Sequence, residues 1–107
     1  MNQMETVPPS KTRQKMMDIW HRNRPQTIER LDLLDRAASS EPLPEELRIE
    51  AAAVAHKLAG SLGMFGFPEG TRLARSLEEL LEQSDPDQAL LVNLATELRQ
   101  TLFPTDA

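Results

Sequence analysis

At 107 residues the chain is one domain's worth, large enough for a single core and too short for two. It has no cysteine, which excludes disulfides, thiol nucleophiles and cysteine-based zinc sites. The formal net charge of −5 argues against non-specific nucleic-acid binding, which needs a concentrated basic face.

Leucine and alanine dominate the apolar residues, while β-branched and aromatic residues are scarce, so the composition favours helix over sheet. Residues 1–9, ending in Pro8-Pro9, are expected to be disordered. Ser10 is the expected N-cap of a first helix over 11–23 with Met16, Met17, Ile19 and Trp20 as its apolar positions. Pro25 either starts a new helix or kinks a longer one. A second helix reaches Ala38, carrying Ile28, Leu31, Leu34 and Ala38 at spacings of three and four. Ser39-Ser40-Glu41-Pro42-Leu43 reads as a connection. Pro44 starts a third helix with Glu45 and Glu46 in its first turn, where the helix dipole favours them. Its stripe is Leu47, Ala51, Val54, Leu58, Leu62 and Phe65. Gly66 or Phe67 ends the loop before Pro68, and the fourth helix carries Leu73, Leu77, Leu80 and Leu81. Asp85 is the expected N-cap of the last helix, with Pro86 next and Gln88 closing a box-like arrangement. That helix uses Leu90, Leu91, Leu94, Leu98 and Leu102 and stops at Pro104.

No segment alternates with period two. One-sided helices on short connections predict an all-α fold, an antiparallel four-helix bundle with an additional N-terminal helix. The domain should span 10–104, with 105–107 as a tail. Lys11, Arg13, Lys15, Arg22 and Arg24 face only Glu5 and Asp18 in the first 24 residues, whereas Arg99 stands alone among the acidic residues after 77. Basic and acidic helices side by side in the bundle are the expected reason. No apolar run approaches the roughly 18 residues that span a bilayer, and Met1–Val7 lacks a signal-peptide layout. The expectation is a soluble, cytoplasmic protein without membrane insertion.

His56 is the informative side chain. With His56 at zero and about 100° per residue, Leu47 and Phe65 fall at about 180°, Leu58 at about 200° and Leu62 at about 240°. His56 thus points away from the apolar stripe, on a face it shares with Ile49, Ala52, Ala53, Gly60 and Gly63. Glycine inside a helix costs about 1 kcal/mol relative to alanine. An ordinary exposed face carries Lys or Glu there, so stability is given up where a partner's backbone could come close. A lone histidine on a helix is ordinarily a polar surface residue, and His21, beside Trp20 and without such a clearing, is read that way. An outward, nucleophilic imidazole among small residues points instead to phosphoryl carriage.

The run His56-Lys57-Leu58-Ala59-Gly60-Ser61, then Gly63-Met64-Phe65-Gly66-Phe67, resembles the histidine-containing phosphotransfer (HPt) domain, and in its Gly-x-Phe-Gly-Phe ending the domain of chemotaxis-type histidine kinases. The resemblance implies that His56 is the phosphoacceptor through Nε2, and that Glu78, 22 residues on, bonds Nδ1 and orients the ring. A carboxylate accepting from Nδ1–H fixes the tautomer and makes Nε2 the better nucleophile. The family's lysine three residues after the histidine is Ala59 here, so Lys57 and Arg75 are the candidate cations for phosphoryl electrostatics. Ile49, Ala52, Ala53, Gly60, Gly63 and Met64 would form the docking face for a response-regulator receiver domain.

No phosphate-binding glycine loop and no kinase glycine-rich strand is present, so no ATP binding or autokinase activity is expected. The carrier would need no cofactor or metal of its own, with Mg²⁺ held by the partner receiver. The partners implied are a receiver domain, a sensor histidine kinase, or both, met by a monomer that is either freestanding or a module of a larger kinase. A non-catalytic helical adaptor using the same face is the alternative, supported by Ala59. A metal-dependent hydrolase has little support, since two histidines 35 residues apart offer no His-Glu-x-x-His spacing.

Overall fold

The helix boundaries follow from where terminal backbone groups find partners. The computed structural model describes residues 8–104, which form five helices and no strand: α1 Pro8–Arg22, α2 Arg24–Ala38, α3 Glu45–Leu62, α4 Pro68–Leu81 and α5 Gln88–Leu102. The expected disordered lead and the tail at 105–107 fall outside the described residues, except Pro8 and Pro9, which are helical. Ser10 therefore lies inside the first turn instead of capping it. First-turn amides have no intrahelical acceptor, so two prolines remove nothing there. Asn23 alone separates α1 from α2, and Pro25 begins a new helix. The Asn23 carbonyl accepts from both the Thr27 amide and its hydroxyl, at 3.0 and 3.1 Å.

Pro44 is the N-cap of α3 and not its first helical residue. After Leu62 the chain turns through Gly66 at φ 88°, a left-handed conformation that suits glycine. There the Phe67 amide donates to Leu62 O at 3.0 Å and the Gly66 amide to Gly63 O at 3.1 Å, a Schellman closure. The N-cap of α5 is Asp87, two residues later than expected: its Oδ1 accepts from the Leu90 amide at 3.1 Å. Gln88 closes no capping box; its side-chain amide donates to the Ala38 carbonyl at the end of α2.

Helices α2 to α5 close a ring: α3 packs on α2 and α4, and α5 packs on α4 and α2. Their short connections make neighbours antiparallel, and leucines such as Leu31, Leu58, Leu62, Leu73, Leu77, Leu81 and Leu98 fill the centre. The expected stripe of α4 is buried throughout. On α5, Leu90 is exposed and Ala95 joins the core instead. On α3 the buried arc is Ala51, Ala55, Leu58, Ala59 and Leu62, whereas Leu47, Val54 and Phe65 are only half-buried. That arc centres at about 245° on the wheel, so His56 stands about 115° from it and not opposite. The reason is close helix packing: buried Ala55 and Ala59 on α3, with Ala74 on α4, let this pair approach.

Helix α1 touches the ring mainly through one side chain. Trp20 is buried against Phe67, Phe65 and Phe103, with ring centroids 4.7, 5.5 and 5.7 Å away. Arg24 covers the Phe103 ring from 4.8 Å. Lys11 to Lys15 are exposed, and the molecule measures 59 × 25 × 23 Å, longer than a bundle of this helix length requires. The basic helix thus projects instead of lying beside the acidic ones, and no ion pair joins them among the described residues. The bundle's charge link is elsewhere, where Arg99 on α5 pairs with Asp32 and Asp35 on α2, each at 2.7 Å. No helix among the described residues is long and apolar enough to cross a membrane.

Candidate functional site

The close α3–α4 approach sets the site. His56 lies at the edge of the α3 seam, and Glu78 lies at the facing edge of α4. Glu78 Oε2 is 2.8 Å from His56 Nδ1. The imidazole is 74% exposed and the carboxylate 23%. An ionised carboxylate only accepts hydrogen bonds, so in this pairing Nδ1 carries the proton, which in the neutral ring leaves the lone pair on Nε2. Among the described residues no hydrogen bond occupies Nε2. The ring is therefore held at one nitrogen and open at the other.

Gly60 lies one turn along α3. A Cβ built there meets no atom within 4 Å, so the space beside the histidine is open. Ala53 and Gly63 are exposed, Ile49 and Met64 are more than half exposed, and Ala52 is half-buried. Of the residues expected to form the docking face, all but Ala52 are thus exposed. Lys57 is exposed, and it lies about 100° around the helix from His56.

A cavity of about 160 Å³ lies between the two helices, lined by His56, Ala59, Gly60, Arg75 and Glu78. Arg75 and Glu78 are brought together with the histidine, and Lys57 is not among the lining residues. Ala59 proved to be a wall of this cavity and part of the core, only 7% exposed. The signal was present in the sequence as alanines at 55 and 59, one turn apart, which mark a helix face built for close approach. Among the described residues no group of three or more His, Asp or Glu side chains could hold a metal ion.

The arrangement presents a fixed tautomer, an unhindered nucleophilic nitrogen and an open face, which suits receiving a phosphoryl group from another protein's active site. Comparison with known proteins agrees. The Hpt domain family matches residues 10–102. Protein RcaC of Microchaete diplosiphon is 35% identical over 95 residues, which cover 82% of this chain and 15% of that protein. The chain thus spans about 15% of the length of that relative. No solved structure gives a significant match. With the helical bundle, the outward histidine and the family match in agreement, the chain belongs to the Hpt domain family, a phosphotransfer family of phosphorelay signalling.

Proposed function

We propose that the protein carries a phosphoryl group on His56, to or from the aspartate of a response-regulator receiver domain. The observation that supports this most is the pairing of Nδ1 with Glu78 while Nε2 stands exposed. The Nε2 lone pair attacks phosphorus of the partner's aspartyl phosphate as the bond to the carboxylate oxygen breaks, and the carboxylate departs. The ring becomes an imidazolium that keeps its Nδ1 proton, and the Glu78 carboxylate offsets the new charge. Transfer back reverses each step. The partner supplies the Mg²⁺ that neutralises charge on the phosphoryl oxygens. This chain supplies a nucleophile, its orienting carboxylate and a docking surface, with Lys57 and Arg75 as the candidate sources of positive charge.

Gly60 and Gly63 admit the partner's backbone, and Ile49, Ala52, Ala53 and Met64 supply the apolar contacts of a modest, transient interface. A sensor histidine kinase is the corresponding donor. We take the protein to act as a cytoplasmic monomer, because the apolar side chains exposed around His56 suit a partner that comes and goes. Incubation with a cognate phospho-donor tests the reading: wild type gains an acid-labile, base-stable label and His56→Gln gains none. A label that survives the substitution defeats it. An adaptor that merely binds would show no phosphohistidine and would tolerate His56→Ala without loss of affinity.

A further inference from the structure

We infer that Arg75, reaching from α4, is the residue that binds the phosphoryl oxygens once His56 is phosphorylated; this deepens the carrier reading above and rests on it. Helices α3 to α5 hold four arginines. Arg48 pairs with Glu45, Arg72 with Glu69, and Arg99 with Asp32 and Asp35. Arg75 is in no ion pair among the described residues, and it is the one of the four that lines the cavity beside the histidine.

The pairs at Glu45 and Arg48 and at Glu69 and Arg72 join residues three apart on one helix. Glu78 lies at the same spacing from Arg75, but its carboxylate is committed to His56 Nδ1 on α3. Arg75 is exposed and lines the cavity, while the Glu78 carboxylate is turned toward the ring. The other α3 residues that line the cavity are Ala59, which offers only a methyl group, and Gly60, which has no side chain. Arg75 and the imidazole thus share a cavity whose other α3 walls are small. A phosphoryl dianion on Nε2 brings oxygens to that space, and a guanidinium binds such a group at two points where an ammonium offers a single charge. Lys57 does not line the cavity. Ala59 leaves the room that Arg75 uses, so the cation serving the site comes from the opposite helix.

Phosphoramidate, a small phosphoryl donor, tests the assignment on the full chain without a protein partner. Nε2 attacks phosphorus, the donor's P–N bond breaks and ammonia leaves. Phosphohistidine is followed by its ³¹P resonance and by its decay after the donor is removed. Arg75→Ala is expected to lose the label about fivefold faster than wild type and to shift the resonance. Arg75→Lys falls between the two. Arg72→Ala, outside the cavity, matches wild type in both readouts. Wild-type lifetime and resonance in Arg75→Ala overturn the assignment, as does the same loss in Lys57→Ala with Arg75→Ala unaffected. Failure of wild type to label at all defeats the carrier reading instead, and is seen before any variant is compared.

Discussion

At the scale of single residues, the site depends on one hydrogen bond and one empty position. Glu78 holds Nδ1, and removing it leaves the ring free to rotate and to carry its proton on either nitrogen. Hydrogen bonds to charged groups are worth about 1.5–3 kcal/mol, so Glu78→Ala should slow labelling of His56 by about ten- to a hundredfold. Glu78→Gln, which can still accept from Nδ1–H, should fall between; comparing initial labelling rates checks both. Gly60 is different in kind. Its missing side chain faces open space, so Gly60→Ala adds no clash and should raise stability by up to about 1 kcal/mol in thermal melts. Gly60→Leu should then lower transfer from a receiver domain far more than labelling by phosphoramidate, since only the protein donor must bring its backbone close. Equal losses with both donors would show that Gly60 shapes the chemistry and not the approach.

At the scale of elements, the bundle is tied by charged side chains that cross or close helices. Arg99 binds Asp35 and Asp32 on the facing helix; burial opposes its charge, but the hydrogen bonds it donates to these two carboxylates raise its pKa overall. The guanidinium is about one third exposed, so screening limits the gain. Arg99→Met should destabilise the protein by about 1 kcal/mol or less in urea titration, with His56 labelling unchanged. On α3, Arg48 donates to the last-turn carbonyl of Leu81 on α4 at 2.6 Å while binding Glu45. This contact pins the start of one site helix to the end of the other. The hydrogen bond from Arg48 lowers the Glu45 pKa below its usual 4.5, against a smaller opposing effect of burial. A depressed carboxylate contributes stability that is present above its unfolded value and lost as pH falls through the folded one. Glu45→Gln should therefore flatten the fall in melting temperature below pH 4.5, and an unchanged acid slope would remove the pair from the ledger.

At the scale of the whole molecule, α1 is an appendage fastened at one end by aromatic packing. Trp20 meets all three phenylalanines of the chain, while residues 11–15 are exposed. Trp20→Ala should cost about 3 kcal/mol or more, and amides of residues 11–19 should then exchange fast while those of α3 and α4 keep their protection. Global loss of protection would mean that α1 is part of the cooperative core. The sequence by itself determined the five helices, the bundle and the outward histidine, because leucine spacing, proline punctuation and paired glycines act locally. It misplaced the cap at Asp85 and the start of α1, since the rule that prolines and acidic side chains mark helix starts does not choose between neighbouring candidates. The rotation of α3, the cavity beside Ala59 and the projection of α1 were decided only by tertiary structure. Small alanines let α3 and α4 close on each other, and that approach, invisible along a single helix, is what brings a carboxylate and a guanidinium from α4 beside the imidazole.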